Sequence, residues 1–251
     1  MPAIRVKSLV GAVELSVRSP SSDILARIKS TILIPNGTIV GAFDVSDVVA
    51  LTFDDGPDRE MTPAILDILR RHGAHATFFL LTDYAQVHRD LVERILAEGH
   101  EIGLHFDRHD RITHLPPLTA LSRMIEARRR LVDLAGQVSL FRPPFGGQNY
   151  LTYVFARMLG LKVIGWTRWA NDWLEQTAES AANVASEHLA GGDIVLMHDG
   201  LELGPNDPRP TFDRGRMVEL FLQEAAARGL KAVTVGTLLA RGRRRRSHWF
   251  R

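Results

Sequence analysis

The stretch ALTFDDGPD, residues 50–58, sets Asp54 and Asp55 side by side directly after an apolar run that reads as a strand. Adjacent carboxylates repel, and a plain turn would not demand both. Further along, His105 and His109 in HFDRH stand four apart, a spacing at which one helical turn places both imidazoles on one side. Two imidazoles and one carboxylate leave a fourth position open for water, the arrangement of a catalytic rather than a structural zinc site. On this reading one acid of the twin completes the site and the other faces the water as general base. The plain alternatives are a solvent-facing or core histidine pair, an Asp that caps the next helix, and DDGP as a simple turn. DDGPD lacks the alternating acids and distant Glu of an EF-hand, which excludes that calcium loop.

These groups need a scaffold that brings them together. From residue 47 onward, short β-branched apolar runs alternate with amphipathic segments that stop at glycine, the rhythm of repeated βα units. Seven strands are expected, over residues 48–53, 75–81, 101–105, 139–142, 162–168, 193–198 and 231–236. The expected fold is α/β, a distorted seven-stranded (β/α) barrel, TIM-like, whose chemistry sits at the C-terminal strand ends. Those ends are chemically loaded with Asp54, Asp55, His105, His109, Arg142, Asp172 and His198. TILI and TIVGAF flank a Pro-Asn-Gly turn, so an N-terminal β-hairpin extension is expected. The domain reading is an extension over 1–45, a catalytic domain over 46–240 and a basic tail over 241–251.

Composition narrows the chemistry further. No cysteine is present, so disulfides, thiolate nucleophiles and Cys-ligated zinc are excluded. Of 31 Lys and Arg, six are Arg in the last eleven residues, RGRRRRSHWFR, which leaves 25 against 29 acids in the body. The tail reads as a solvated, disordered end, with nucleic-acid or peripheral membrane contact as the lesser readings. MPAIRVKSLVGAVELSVRSP lacks the continuous apolar core of a signal peptide, and no segment is apolar enough to span a bilayer. A cytoplasmic location is therefore expected, or an extracellular one should the N-terminus be trimmed.

TFDDGP, the His pair in EIGLHFDRH, FRPPFG, WTRWANDW and IVLMH together carry a family resemblance. In order and spacing the chain resembles the polysaccharide deacetylases, metal-dependent esterases like chitooligosaccharide deacetylase, over about residues 46–240. The resemblance implies that Asp55, His105 and His109 bind a divalent metal, usually Zn2+ and sometimes Co2+ or another ion. It makes Asp54 the base, Arg142 the group that keeps Asp54 ionised, and the Phe145 backbone N–H the oxyanion donor. His198 becomes the acid for the departing amine, Asp172 raises its pKa, and Trp166 and Leu196 wall the acetyl pocket. Read singly, Arg142 is equally a surface ion pair, Trp166 and Leu196 core residues, and His198 a satisfied buried histidine.

Two positions depart from the family pattern. Phe106 stands where Ser or Thr usually follows the first metal histidine, so that loop must be held otherwise, through Asp107 or His114. Trp169 replaces an acid and offers a stacking face to a sugar. The implied reaction is hydrolytic N-deacetylation of an N-acetylated amino sugar, oligosaccharide or glycoconjugate, with release of acetate. The rival readings are a hydrolase of a small non-sugar amide or imide and a non-catalytic carbohydrate-binding relative.

Overall fold

Strand β2 (Val48–Asp54) is buried along its whole length, and its alternation gives each face a separate environment. Val49, Leu51 and Phe53 join a cluster with residues of the surrounding helices, while Val48 and Ala50 pack with Phe79, Leu140, Ile164 and Ile194. A strand covered on both faces belongs in a parallel sheet flanked by helices. That sheet is present in the computed structural model, which describes residues 37–202 and 209–248.

With β1 (Thr38–Phe43) set apart, the sheet strands are β2, β3 (Thr77–Leu80), β4 (Glu101–Leu104), β5 (Leu140–Phe141), β6 (Lys162–Val163), β7 (Arg168–Trp169), β8 (Ile194–His198) and β9 (Lys231–Val233). They run in the order β6-β5-β4-β3-β2-β8-β7, with β9 beside the start of β2. Every pair is parallel, and the sheet curls into a half-barrel around the second cluster. Register brings the chemistry to one rim. Asp54 lies directly opposite His198, and Leu104 opposite Phe141, so His105 and Arg142 follow as the next residues of their strands.

The helices are α1 (Met61–Arg71), α2 (Thr82–Val87), α3 (Arg89–Ala97), α4 (Pro117–Ala135), α5 (Tyr150–Met158), α6 (Ala178–Ser186), α7 (Arg214–Ala227) and α8 (Val235–Arg241). Helices α1 and α3 to α7 are the amphipathic segments between the expected strands that stop at glycine, whereas α2 is a further short helix directly after β3 and α8 begins inside the last expected strand. The run KAVTVG is a strand only to Val233, because the Thr234 side chain accepts from Thr237 N–H and caps α8. KVIGWTR, expected as one strand, divides into β6 and β7 at opposite ends of the sheet. Residues 164–167 cross between them, Gly165 N–H donating to Ile39 O and Thr167 N–H to Ile194 O.

The expected N-terminal hairpin has its TILI arm outside the described residues. Its TIVGAF arm is β1, which pairs antiparallel with β10 (Arg243–Ser247). The tail as far as Ser247 is therefore an ordered strand rather than a solvated end, and its charge is largely met within the fold. Arg243 pairs with Asp44 at 3.0 Å, Arg245 with the buried Asp193 at 2.6 Å, and Arg241 with Asp47 at 2.8 Å. Strand β1 also bridges to Ile164 and to Asp193, so it ties both sides of the half-barrel. Gly41 permits that close approach, since a Cβ there would lie 2.6 Å from Gly192 O. No helix among the described residues is long and apolar enough to cross a membrane.

Asp193 also accepts from Thr167 Oγ1 and Ala190 N–H, so losing the Arg245 cation leaves a buried carboxylate short of one partner. Arg245→Ala should lower unfolding stability by about 1–3 kcal/mol in urea melts. An unchanged midpoint would return β10 to a loosely attached end.

Candidate active site

Asp55 and both histidines converge on one point. His105 Nε2 lies 3.2 Å and His109 Nε2 3.4 Å from Asp55 Oδ1. The helical turn expected for HFDRH is not what joins the imidazoles: residues 105–109 form an irregular loop after β4, with Phe106 at φ 92. Two features of this chain hold that loop. Phe106 is fully buried, and Asp107 accepts from Arg123 at both oxygens, Nε to Oδ2 at 2.8 Å and Nη2 to Oδ1 at 2.7 Å. Asp107 thus takes the tethering role, while the exposed His114 side chain makes no hydrogen bond to a described residue.

The unexpected helix α2 supports the loop from the other side. Thr82 and Asp83 donate their N–H groups to the carbonyls of Phe106 and Asp107, and Leu81 N–H donates to Gly56 O. These are N–H groups that helical geometry leaves without an intrahelical partner. One helix start therefore braces both ligand-bearing loops.

The donor set fits a divalent metal. Ligands about 2.0–2.1 Å from a tetrahedral zinc lie roughly 3.3 Å apart, which the two Nε2–Oδ1 distances match. Asp55 Oδ1 is buried and accepts no hydrogen bond from any described residue, an exposed need for a cation. His105 Nδ1 sits 2.8 Å from Arg142 O; with the proton on Nδ1 donated to that carbonyl, the Nε2 lone pair turns toward Asp55. Burial pushes the His109 imidazole down to about 4, so it is neutral and able to ligate at pH 7. Burial alone would raise the Asp55 carboxyl, but the facing imidazoles of His105, His198 and His109 outweigh it and hold the group well below the usual range.

Asp54 meets a different partner. The pleat points it inward beneath Thr52, where Arg142 Nη1 donates to Asp54 Oδ1 at 2.7 Å and to Thr52 Oγ1 at 2.8 Å. Arg142 has no solvent exposure, and its remaining donors meet Ile164 O and Gly165 O. Its guanidinium lies 4.3 Å from the Phe79 ring centroid and 5.4 Å from that of Trp166. The surface ion pair that Arg142 could have been is excluded by this burial. Helix capping falls to a third acid: Asp58 Oδ1 accepts from Glu60 and Met61 N–H at the start of α1.

Across the rim, His198 Nδ1 lies 2.8 Å from Asp172 Oδ1, and His198 N–H donates to Asp172 Oδ2. Burial would lower this imidazole, but the Asp172 carboxylate overrides it and pushes it up to about 9. Arg214 Nη2 donates to Asp172 O and fixes the acid from behind. Asp199 was not anticipated, although it directly follows His198. Its Oδ2 accepts from Thr62 Oγ1 at 2.6 Å, and its carboxyl lies against Gly56, where a Cβ would collide with it. Burial pushes that carboxyl up to about 7.

A cavity of about 340 Å³ opens over these groups, lined by Asp54, Asp55, His105, His109, His198 and the Phe145 turn, with Trp166 and Leu196 in its wall. Arg142 and Asp172 lie behind Asp54 and His198. Trp169 does not line the cavity: β7 is the last strand of the sheet, and Trp169 lies at that edge, 43% exposed. Trp173 takes the place expected of it, edge-on to His198 with ring centroids 5.6 Å apart. Phe145 adopts a left-handed φ of 59 and sets its ring 4.1 Å from that of His109. Within the long loop after His198, Leu201 and Glu202 reach the cavity, and residues 203–208 lie outside the described residues.

Comparison with known proteins adds three kinds of finding. The family model for polysaccharide deacetylase matches residues 44–164. A peptidoglycan-N-acetylglucosamine deacetylase of Bacillus cereus is 34% identical over 195 residues, 76% of this chain and 88% of that protein. A chitooligosaccharide deacetylase of Sinorhizobium fredii is 30% identical, over 61% of this chain and 72% of its own length. Among longer relatives the shared region falls to 32% of the protein. The solved structure of peptidoglycan deacetylase PdaC from Bacillus subtilis superposes with a TM-score of 0.67 at 28% identity, covering 78% of this chain and 91% of that one.

Metal analysis by plasma mass spectrometry tests the donor set. The purified chain should hold about one zinc-like ion per molecule, and Asp55→Ala should lose it. Unaltered metal content in that variant would remove Asp55 from the ligands.

Proposed function

The chain belongs to the polysaccharide deacetylase family, and we propose that it hydrolyses the N-acetyl group of an amino sugar in a peptidoglycan-like or chitooligosaccharide chain. One observation carries this reading: the Asp55, His105 and His109 cluster, the Asp54–Arg142 pair and the His198–Asp172 pair all open on one cavity. The reaction consumes one amide and one water and yields acetate and a free amine.

A divalent ion, Zn2+ on this donor set with Co2+ as the nearest alternative, would supply Lewis acidity to the amide carbonyl and ease the ionisation of water. Arg142 occupies Asp54 Oδ1, which leaves Oδ2 to accept a proton from the attacking water. The Phe145 backbone N–H is the proposed donor to the developing oxyanion. With Nδ1 committed to Asp172, His198 offers Nε2 to the cavity and delivers its proton there to the departing nitrogen. Leu196 and Trp166 form an apolar wall suited to the acetyl methyl.

Three outcomes test these roles. Asp54→Asn should keep its metal while kcat for acetate release from N-acetylchitooligosaccharides falls about 10²–10⁴-fold; turnover at the parent rate would remove the base assignment. His198 must be protonated to act, so kcat should fall as pH rises through about 9. Asp172→Asn removes the charge that raises it and should move that alkaline limb to lower pH. A limb that stays in place would assign the titration to another group. Release of acetate from small non-sugar amides but from no acetylated sugar would replace the substrate class.

A further inference from the structure

Arg111 lies two residues past His109, in the wall of the same cavity. Its guanidinium sits 4.3 Å from the Phe145 ring centroid, and that ring rests in turn against His109. Stacking fixes where the cation sits without using any of its N–H donors. Among the described residues, the Arg111 side chain makes no hydrogen bond, and no carboxylate lies within 4.0 Å of it. The neighbouring cations differ. Arg123 is paired with Asp107 and Asp110, Arg130 with Asp83, and Arg108 stands 3.8 Å from Asp83.

An exposed arginine held on an aromatic face, with its planar fork unspent beside a binding cavity, is suited to a carboxylate or phosphate. Glu202 is the opposing acid in that wall. It forms no ion pair with Arg111, and burial pushes its carboxyl up. In an acetylated amino sugar the carbons beside the acetamido carbon carry the anomeric oxygen and the 3-hydroxyl. An anion on either stays close to the reacting amide.

We propose that Arg111 is a specificity residue selecting N-acetylated sugars with an anionic substituent next to the acetamido carbon, either a 3-linked carboxylate or an anomeric phosphate. The inference rests on the deacetylase reading and goes beyond it by assigning charge to the substrate. Arg111 acts in binding: its fork pairs with the anion and orients the ring so that the amide enters beside His109.

The test measures kcat/KM for acetate release from three sugars by the zinc-loaded chain and by Arg111→Gln. The sugars are N-acetylmuramic acid in a disaccharide, N-acetylglucosamine 1-phosphate, and neutral di-N-acetylchitobiose. The parent should prefer one anionic sugar over the neutral one. Arg111→Gln should reduce that ratio on the order of tenfold, mainly through KM, the size of one charge-assisted contact at a partly wet site. The anion whose advantage is lost identifies the source, carboxylate or phosphate. No preference in the parent, or a ratio untouched by the substitution, would overturn the proposal. Should the parent release no acetate from any sugar, the deacetylase reading fails separately. Calorimetric binding of N-acetylmuramic acid against N-acetylglucosamine then decides Arg111: a preference abolished in Arg111→Gln upholds it, and equal binding sinks it.

Discussion

A guanidinium shut away from water inside the curled sheet must be met by acceptors on every side, and the site is organised by how Arg142 is satisfied. Its Nη1 takes one oxygen of Asp54 and the hydroxyl of Thr52, and its Nε and Nη2 take the carbonyls of Ile164 and Gly165. Phe79 and Trp166 cover its faces. The main chain of the same residue faces His105 Nδ1. One residue therefore fixes the orientation of a carboxylate through its side chain and of an imidazole through its backbone. Burial disfavours the charged guanidinium, and Asp54 opposes that effect.

Adjacent acids of one sign cost energy unless each has its own partner. The chain separates them by geometry. Pleating sends Asp54 inward to Arg142, and a left-handed φ of 72 at Asp55 turns the next carboxylate toward the two imidazoles. Loop bracing then keeps the arrangement. The N–H groups at the start of α2 hold Gly56 on one side and the Phe106 and Asp107 carbonyls on the other, while Asp199 and Thr62 clamp Gly56 from below. Tethering by Asp107 and Arg123 gives the loop a support that needs no hydroxyl at position 106.

Much of this was legible in the sequence, because residue types at strand ends carry their own chemistry. Asp54, Asp55, His105, His109 and His198, all in the strand-end set, line one cavity, and Trp166 and Leu196, which only the family resemblance singled out, lie in its wall. The sheet was equally legible from β-branched runs separated by helices that stop at glycine. What failed depended on tertiary context. KVIGWTR carries strand propensity throughout, yet its first half pairs with β5 and its second half with β8, and between them Gly165 N–H turns to Ile39 O of β1. VTVG likewise reads as strand until Thr234 supplies a helix cap. The Arg-rich tail looked solvated because its acids, Asp44, Asp47 and Asp193, are distant in sequence. Trp169 and Trp173 share a motif, and only the edge position of β7 decides which one reaches the cavity. Asp199 and α2 carried no chemistry of their own type, and their importance comes from the loops they hold.

The division of labour between the twin acids is the central claim, and it has a direct observable. Crystals of the zinc-loaded chain, measured at the zinc absorption edge, should give one anomalous peak about 2.0–2.2 Å from an Asp55 oxygen and from both His105 and His109 Nε2. Asp54 should lie outside that coordination shell, still bonded to Arg142. A peak ligated by Asp54 in place of Asp55, or one lying away from both histidines, would contradict the account.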